Sequence, residues 1–271
     1  MTISFVLAGG GALAATQVGM LRALLEAGVR PDLVVGTSAG AINGFCFAEH
    51  PNEDGVDRLT GLWGRMRRRD VFPVDPRFIA AGLVGLRDGL VSPVRLRAFL
   101  RRNVGAAGLR DTEVPMHIVV TDLASGRPAV LSDGPAVDAL PATSALPGVF
   151  PPVLLNGRPL ADGGITADTP VRQAEELGAD VIYVLPAVGP GTPTEVPHGA
   201  LPVLLHAVSH LFGRAAAADI EAVHGVVHVL PAPAHEGANP FDFRHTGELI
   251  DEGYTATKAA LVALPRSRMV A

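Results

Sequence analysis

Short apolar runs alternate along the chain with longer segments in which apolar residues recur every three or four positions. Residues 3–7 form the first run, and a glycine turn separates it from residues 12–27, whose spacing predicts a helix that ends at Gly28. A second run, residues 33–35, precedes a small-residue segment, 39–48, that predicts a second helix. Strands that are apolar throughout are typical of sheets covered on both faces. The order strand, helix, strand, helix therefore predicts parallel pairing in an α/β protein.

The pattern then loosens into a mostly helical stretch before strands resume. Further strands are predicted at 116–123, at 127–132, at the sequence RPLADGG, at 180–186 and at 225–232, and further helices at 170–177, 201–223 and 246–264. The sequence contains no internal repeat and no linker long enough to separate two domains. We expect residues 1–271 to form a single domain with a helical insertion at about residues 50–114.

The amino-acid composition excludes several classes of function and of site for this protein. The formal net charge of −5 argues against nucleic acid as the main partner, because a phosphate-binding surface needs an excess of basic residues. The single cysteine, Cys46, excludes an internal disulfide and a cysteine-based zinc site. The sequence shows neither a secretory leader nor an apolar run long enough to span a membrane, so the expectation is a cytoplasmic protein.

Two glycine-rich turns follow the first two predicted strands. The first, residues 9–14, fits the dinucleotide fingerprint G-x-G-x-x-G/A and lies correctly between a strand and a helix. That fingerprint also needs an acidic residue at the end of the second strand to hold the ribose. The second strand ends instead in Gly36-Thr37-Ser38, and the nearest acids, Glu26 and Asp32, precede it. The nucleotide interpretation is therefore rejected.

The second turn has the spacing of a nucleophile elbow. Gly36 and Gly40 flank Ser38 at two residues on each side, which lets the chain turn sharply from strand to helix and projects the hydroxyl from the sheet edge. The adjacent helix N-terminus favours negative charge there. The alternative is that Ser38 merely caps the helix, as serine often does.

The first turn supports the catalytic alternative. In a parallel sheet both turns open on the same edge, and neighbouring strands lie about 5 Å apart. The amide N–H groups of Gly9, Gly10 and Gly11 would then face the Ser38 hydroxyl and act as oxyanion donors, because glycine lets the backbone approach a ligand closely.

A serine nucleophile needs a general base, and several residues are candidates. Asp162, in the sequence LADGG, ends a predicted strand at what we expect to be the same sheet edge, although an Asp-Gly pair is also typical of a plain turn. Asp122 has the same alternative, and Asp168 is interpreted as a cap for the helix at Pro170. His245, near the C-terminus, is the rival base.

His206 and His210 are four residues apart on one helix face. The sequence HAVSH lacks the glutamate beside the first histidine that a metalloprotease would need. We therefore predict no metal site.

The motifs GGGALA, GTSAG and ADGG, in that order, resemble those of bacterial patatin-like phospholipases, and the stretches ATSALPGVFPPV, TPVRQAEELGADVIYV and FDFRHTGELIDEGY extend the resemblance over nearly the whole chain. The resemblance implies a three-layer α/β/α sandwich with a mostly parallel central sheet. It also implies a Ser–Asp dyad without histidine, in which Ser38 is the nucleophile, Asp162 the base and the amides of Gly9, Gly10 and Gly11 the oxyanion donors. Neither a metal nor an organic cofactor is implied.

The implied function is a serine acyl hydrolase, of the lipase, esterase or phospholipase A type, that cleaves carboxylic esters of lipids or small molecules through an acyl-Ser38 intermediate. An acyltransferase or cyclase that uses the same acyl-enzyme, and a non-catalytic binding protein of the same fold, remain alternatives. Leu13 and Ala14 stand where the family turn has a basic residue and a glycine. The missing positive charge makes a neutral ester more plausible than an anionic phospholipid.

Two further features bear on the substrate and partners. Apolar residues would either wall an acyl pocket or form ordinary core, namely Leu62, Trp63, Phe72, Phe78 and Leu83 in the insertion and Leu201, Leu204, Leu205, Leu211 and Phe212 in the later helix. The basic run at residues 65–69 is interpreted as a solvated helix end, with contact to membrane head groups or to an acyl carrier as the alternative.

Overall fold

The computed structural model describes residues 1–104, 107–189, 198–233 and 239–263. Its strands are β1 (Ile3–Leu7), β2 (Leu33–Thr37), β3 (Met116–Asp122), β4 (Arg127–Leu131), β5 (Val153–Leu155), β6 (Arg158–Asp162), β7 (Val181–Leu185) and β8 (Val226–Val229). Its helices are α1 (Thr16–Glu26), α2 (Ala39–Glu49), α3 (Glu53–Arg65), α4 (Arg68–Val71), α5 (Pro76–Leu83), α6 (Val94–Val104), α7 (Ala136–Thr143), α8 (Gly164–Ala167), α9 (Val171–Glu176), α10 (Ala200–Ala222) and α11 (Thr246–Ala263), with a 3-10 turn, Gly11–Ala15, before α1.

One eight-stranded sheet organises these elements. Its strand order is β5-β6-β3-β2-β1-β7-β8, and β4 pairs with β3 outside that order. The pairs β1–β2, β1–β7, β2–β3 and β7–β8 are parallel, whereas β3–β4, β3–β6 and β5–β6 are antiparallel. The centre of the sheet is thus parallel, as predicted, and the antiparallel strands are gathered at one side.

Side chains of the central strands alternate between two buried layers. On β1, Phe5 and Leu7 contribute to one hydrophobic cluster and Val6 to the other. The first cluster includes residues of α1, α2, α3 and α11, and the second includes residues of α8 and α9, with Ile220 of α10 packed against it. Burial on both faces is the physical reason that these strands are apolar throughout. The three-layer α/β/α architecture is therefore confirmed.

The register on β3 brings two strand ends together. Thr37, the last residue of β2, pairs with Val119, and Asp162, the last residue of β6, pairs with Val120. β4 pairs with residues 118–122 of β3 and so occupies one side of that strand. β2 and β6 pair with residues of β3 in the same range, so both lie on its opposite side, where their ends meet. Asp162 lies beside Ser38 as expected, but its strand is antiparallel to β3 and approaches Ser38 from the opposite direction.

Four helices, α3 to α6, occupy the chain between α2 and β3. Two of them have side-chain caps, since the Asn52 side chain accepts from the Gly55 N–H and the Asp75 side chain accepts from the Arg77 N–H. Within the described residues, no helix has the length and apolar character needed to cross a bilayer.

Candidate active site

Ser38 lies on a strained turn between β2 and α2. Its φ of 54° and ψ of −126° place a non-glycine residue at positive φ. A Cβ at position 36 would lie 2.7 Å from the Ala41 Cα, and a Cβ at position 40 would collide with the carbonyl oxygens of Leu7 and Ala8. Both flanking glycines are therefore required by close backbone approach, as the elbow interpretation predicts.

The Ser38 side chain makes no capping hydrogen bond to α2. Its Oγ donates instead to Oδ2 of Asp162 at 2.8 Å. Asp162 is 4% exposed, and its Oδ1 accepts the Gly164 N–H at 2.8 Å. The structure thus joins a hydroxyl and a carboxylate that are 124 residues apart in the chain.

Burial sets the proton affinity of Asp162. Removal from water raises the pKa of this carboxyl group to about 6, against the lowering effect of the hydrogen bonds from Gly164 and Ser38. A carboxylate whose pKa lies closer to neutral is a stronger base than an exposed aspartate. Asp162 therefore has the buried environment, shielded from water, that a serine–aspartate pair requires.

The backbone of the elbow is held by a residue that the sequence interpretation missed. The Ser38 N–H donates to the Thr143 Oγ1 at 2.9 Å, and the Thr143 hydroxyl donates to the Val119 carbonyl oxygen. Thr143 is the last residue of α7, a helix that contains Pro141 and was not predicted. A proline inside the segment hides its helical character, and the only signal at Thr143 was that it lies in ATSALPGVFPPV, a stretch that extends the family resemblance.

The glycine turn lies directly against the elbow. A Cβ at position 9 would be 3.4 Å from the Ser38 Cβ. The Gly9 N–H donates to the Asp168 carbonyl oxygen at 3.2 Å, so it already has an acceptor. The predicted oxyanion hole would need this N–H to be free. Within the described residues, the N–H groups of Gly10 and Gly11 have no acceptor. These two N–H groups therefore have no protein acceptor among the described residues that would compete with an oxyanion.

Leu13 and Ala14, which replace the basic residue and glycine of the family turn, face the core. Leu13 is 6% exposed and Ala14 is fully buried, and both belong to the larger hydrophobic cluster. The 3-10 turn that contains them replaces the first residues of the helix predicted at 12–27. No positive charge therefore enters the site from these two positions.

A buried polar network anchors this turn. Gln17 Nε2 donates to the carbonyl oxygens of Ala8 and Leu185 at 2.8 and 2.9 Å. Asn43 Nδ2 donates to Gln17 Oε1 at 2.9 Å, and Trp63 Nε1 donates to Asn43 Oδ1 at 2.8 Å. Since buried polar groups are costly unless paired, this complete network fixes α1, α2 and α3 around the residue before Gly9. Trp63 is therefore core and not a pocket wall.

Asp168 is a second carboxyl group at the site, not a helix cap. Helix α9 has no side-chain cap. A Cβ at position 9 would lie 2.5 Å from Asp168 Oδ1, and a Cβ at position 164 would lie 3.2 Å from the same oxygen and 3.1 Å from Asp162 Oδ1. Burial and the Asp162 charge raise the pKa of Asp168 to about 7. The sequence interpretation of Asp168 as a cap for the helix at Pro170 was therefore wrong.

The remaining candidates lie in other surroundings. Asp122 Oδ2 accepts from the Arg158 guanidinium at 2.7 and 2.9 Å, which lowers its pKa and makes it a structural ion pair. His245 Nδ1 lies 3.0 Å from Glu248 Oε2, and His206 and His210 face each other at 3.2 Å on α10. Among the described residues, no histidine hydrogen-bonds to the Ser38 hydroxyl.

One predicted pocket residue reaches the site. The Phe212 ring on α10 lies 3.1 Å from the position of a Cβ at residue 164, next to the Asp162 carboxylate. Leu62 is 3% exposed and belongs to the core. The side chains of Leu201 and Leu205 lie outside the described residues.

A largely parallel sheet flanked by helices, with a strained serine where a strand enters a helix, defines an α/β protein with a nucleophile elbow. Residues 5–175 match the family model described as patatin-like phospholipase, a range that includes both Ser38 and Asp162. The chain belongs to this family, which confirms the resemblance to patatin-like phospholipases over these residues.

Known relatives share only part of their length with this chain. Lysophospholipase nte1 of Aspergillus terreus is 31% identical over 191 residues, which cover 68% of this chain and 12% of that protein. Patatin-like phospholipase domain-containing protein 7 of Rattus norvegicus is 29% identical over 192 residues, covering 68% of this chain and 13% of that protein. The crystal structure of VipD from Legionella pneumophila has the same fold, with a TM-score of 0.52 at 16% identity over 97% of this chain and 67% of that one.

Proposed function

We propose that this protein is a serine acyl hydrolase that cleaves carboxylic esters of lipids, with Ser38 as nucleophile and Asp162 as general base. The observation that supports the proposal most directly is the 2.8 Å hydrogen bond from Ser38 Oγ to Asp162 Oδ2 at a strained elbow. Family membership and relatives named as lysophospholipases support a lipid ester as the substrate class.

In the proposed reaction, Ser38 Oγ attacks the ester carbonyl carbon while its proton passes to Asp162 Oδ2. The N–H groups of Gly10 and Gly11 stabilise the negative charge that forms on the carbonyl oxygen. Collapse of this intermediate expels the alcohol, which takes the proton from Asp162, and leaves an acyl-serine. Water, activated by the same carboxylate, then releases the carboxylic acid and restores Ser38.

Each neighbouring contact has a role in this scheme. The Gly164 N–H holds one oxygen of Asp162 and leaves the other for the serine proton. Thr143 holds the Ser38 backbone, and Gln17 holds the strand end that precedes the glycine turn. The Phe212 ring beside Gly164 would contact the acyl chain.

The proposal is tested by product analysis. Wild-type protein is incubated with p-nitrophenyl esters of short and long acyl chains, with lysophosphatidylcholine and with phosphatidylcholine, in isotopically labelled water with and without an added alcohol. We expect free fatty acid that carries the label, at turnover well above buffer. Products dominated by a new ester would assign acyl transfer instead, and no product from any substrate would contradict the proposal.

Activity is expected to rise with pH through about 6 and to fall again above about 7. Asp162 must be ionised to accept a proton, and its pKa is about 6. Asp168, with a pKa of about 7, loses its proton next and places a second negative charge beside the turn where the oxyanion forms. In Asp168→Asn the fall above pH 7 should disappear while the rise near pH 6 remains. The measurement is kcat/KM against pH with a soluble ester.

Asp251→Asn is the matched control for this pH profile. Asp251 is exposed on α11 and its side chain takes no part in the site, so the profile should keep both limbs. A decline that persists unchanged in Asp168→Asn would show that another group titrates there.

A further inference from the structure

Positive charge is concentrated in one part of this acidic protein. Residues 65–102, hereafter the arginine-rich segment, contain ten arginines and three aspartates, whereas the whole chain has a net charge of −5. Within the described part of the chain, none of these arginines forms an ion pair with a carboxylate. The segment therefore carries a strong excess of positive charge.

Large apolar side chains project from the same segment. Leu83, Val84 and Leu86, hereafter the α5 tip, are 72%, 70% and 77% exposed. The tip continues α5 as a hydrogen-bonded turn, in which the Leu86 N–H donates to the Ala81 carbonyl oxygen at 2.8 Å. Val74 and Val94, elsewhere in the segment, are 69% and 67% exposed. Such a concentration of exposed aliphatic residues marks an interaction surface.

Arginines lie on both sides of the tip along the chain. The exposed Arg87 follows it and places its guanidinium 5.6 Å from the centre of the Phe78 ring, and the exposed Arg77 lies in the first turn of α5, which ends at the tip. An aliphatic tip with a basic border suits the interface of a bilayer, where apolar groups enter the acyl region and guanidinium groups meet phosphates. An acidic protein partner would use the arginines but would leave the tip without a matching environment.

The backbone connects this surface to the candidate active site. After the tip, the Val91 N–H donates to the Val149 carbonyl oxygen at 2.7 Å, and the Leu90 N–H donates to the Gly148 carbonyl oxygen. The loop that they contact begins at Thr143, which holds Ser38, and includes Ala145, whose carbonyl accepts the Asp162 N–H. A short stretch of backbone, residues 87–91, thus joins the tip to the loop that frames the nucleophile.

We propose that the α5 tip and its arginines dock this protein onto bilayers that carry anionic head groups. The inference deepens the proposed function, on which it rests for its purpose: docking would deliver an ester substrate from the bilayer. The binding event itself requires no catalysis.

The test measures sedimentation of Ser38→Ala protein with vesicles, so that no lipid is consumed. Vesicles of phosphatidylcholine alone are compared with vesicles of phosphatidylcholine mixed with phosphatidylglycerol, at low and high salt. We expect binding to the mixed vesicles that weakens with salt. Leu83→Ser with Val84→Ser and Leu86→Ser should weaken it by at least about tenfold, and Arg77→Gln with Arg87→Gln by about tenfold on anionic vesicles alone.

Leu154→Ser with Arg127→Gln is the matched control, because Leu154 is 73% exposed on β5 and Arg127 is exposed on β4, both outside the segment. It should bind as the parent does. Thermal unfolding verifies that every variant is folded. Unchanged binding by the tip variant would overturn the proposal, as would binding of an acidic acyl carrier protein without binding of vesicles.

The two proposals fail in different ways. A wild-type protein that hydrolyses soluble esters but ignores anionic vesicles would refute docking alone. Vesicle binding by a protein that neither hydrolyses esters nor reacts with a fluorophosphonate would refute the proposed function alone.

Discussion

Ser38→Ala is expected to abolish ester hydrolysis and covalent labelling by a fluorophosphonate. The substitution removes the Oγ that donates to Asp162 and leaves the glycine turn in place. Loss of the nucleophile in serine hydrolases typically costs at least about three orders of magnitude in kcat. The measurements are kcat with a soluble ester and the mass of the protein after exposure to the probe.

Ser125→Ala is the matched control, because Ser125 is exposed in the turn between β3 and β4 and lies apart from the site. It should retain full activity and labelling. Hydrolysis by Ser38→Ala at the wild-type rate would remove the nucleophile assignment, and labelling of another residue in wild-type protein would do the same.

Asp162→Asn should lower kcat by about three to four orders of magnitude. An amide has the shape of the carboxylate and keeps an oxygen for the Gly164 N–H, but it cannot accept the serine proton. Because shape is preserved, the loss would report on proton transfer and not on packing. The measurement is kcat with the same soluble ester at pH 8, with Asp251→Asn expected to match wild type.

The same variant should be more stable than wild type at pH 8. Burial raises the pKa of Asp162 from 3.8 to about 6, so ionisation disfavours the folded state as pH rises through that range. The shift corresponds to about 3 kcal/mol at pH 8, and this difference should vanish below about pH 4. Thermal unfolding at both pH values measures it. A variant that loses activity and stability together at pH 8 would indicate disrupted structure instead of a lost base.

The local sequence was sufficient to predict most of the helices and strands and the elbow at Ser38. The alternation of β1 side chains between two buried layers follows from an apolar run, and the turn at Ser38 follows from glycines that the close approach of α2 to β1 requires. Patterns of this kind depend on neighbours in the chain, so they can be read without coordinates. Helix α7 was not predicted because Pro141 interrupts its helical sequence pattern.

The groups around Ser38 could not be predicted in the same way. Gly9 and Asp168 come from turns at opposite ends of the matched region, and only their packing shows that a backbone hydrogen bond joins them and that the Asp168 carboxyl group enters the site. Proton affinity likewise depends on burial and on neighbouring charge, which are properties of the folded protein.

By itself, then, the sequence determined an α/β protein with a serine elbow, a glycine turn and a list of candidate bases, because backbone geometry and apolar spacing are local. The motif resemblance implied Asp162 among these candidates, but only the tertiary structure decided that Asp162 meets the serine. It did so through the register of β3, on which β2 and β6 end at adjacent positions and bring Ser38 and Asp162 into hydrogen-bonding contact. Contacts across 124 residues depend on how the strands pair, and pairing is a property of the whole sheet.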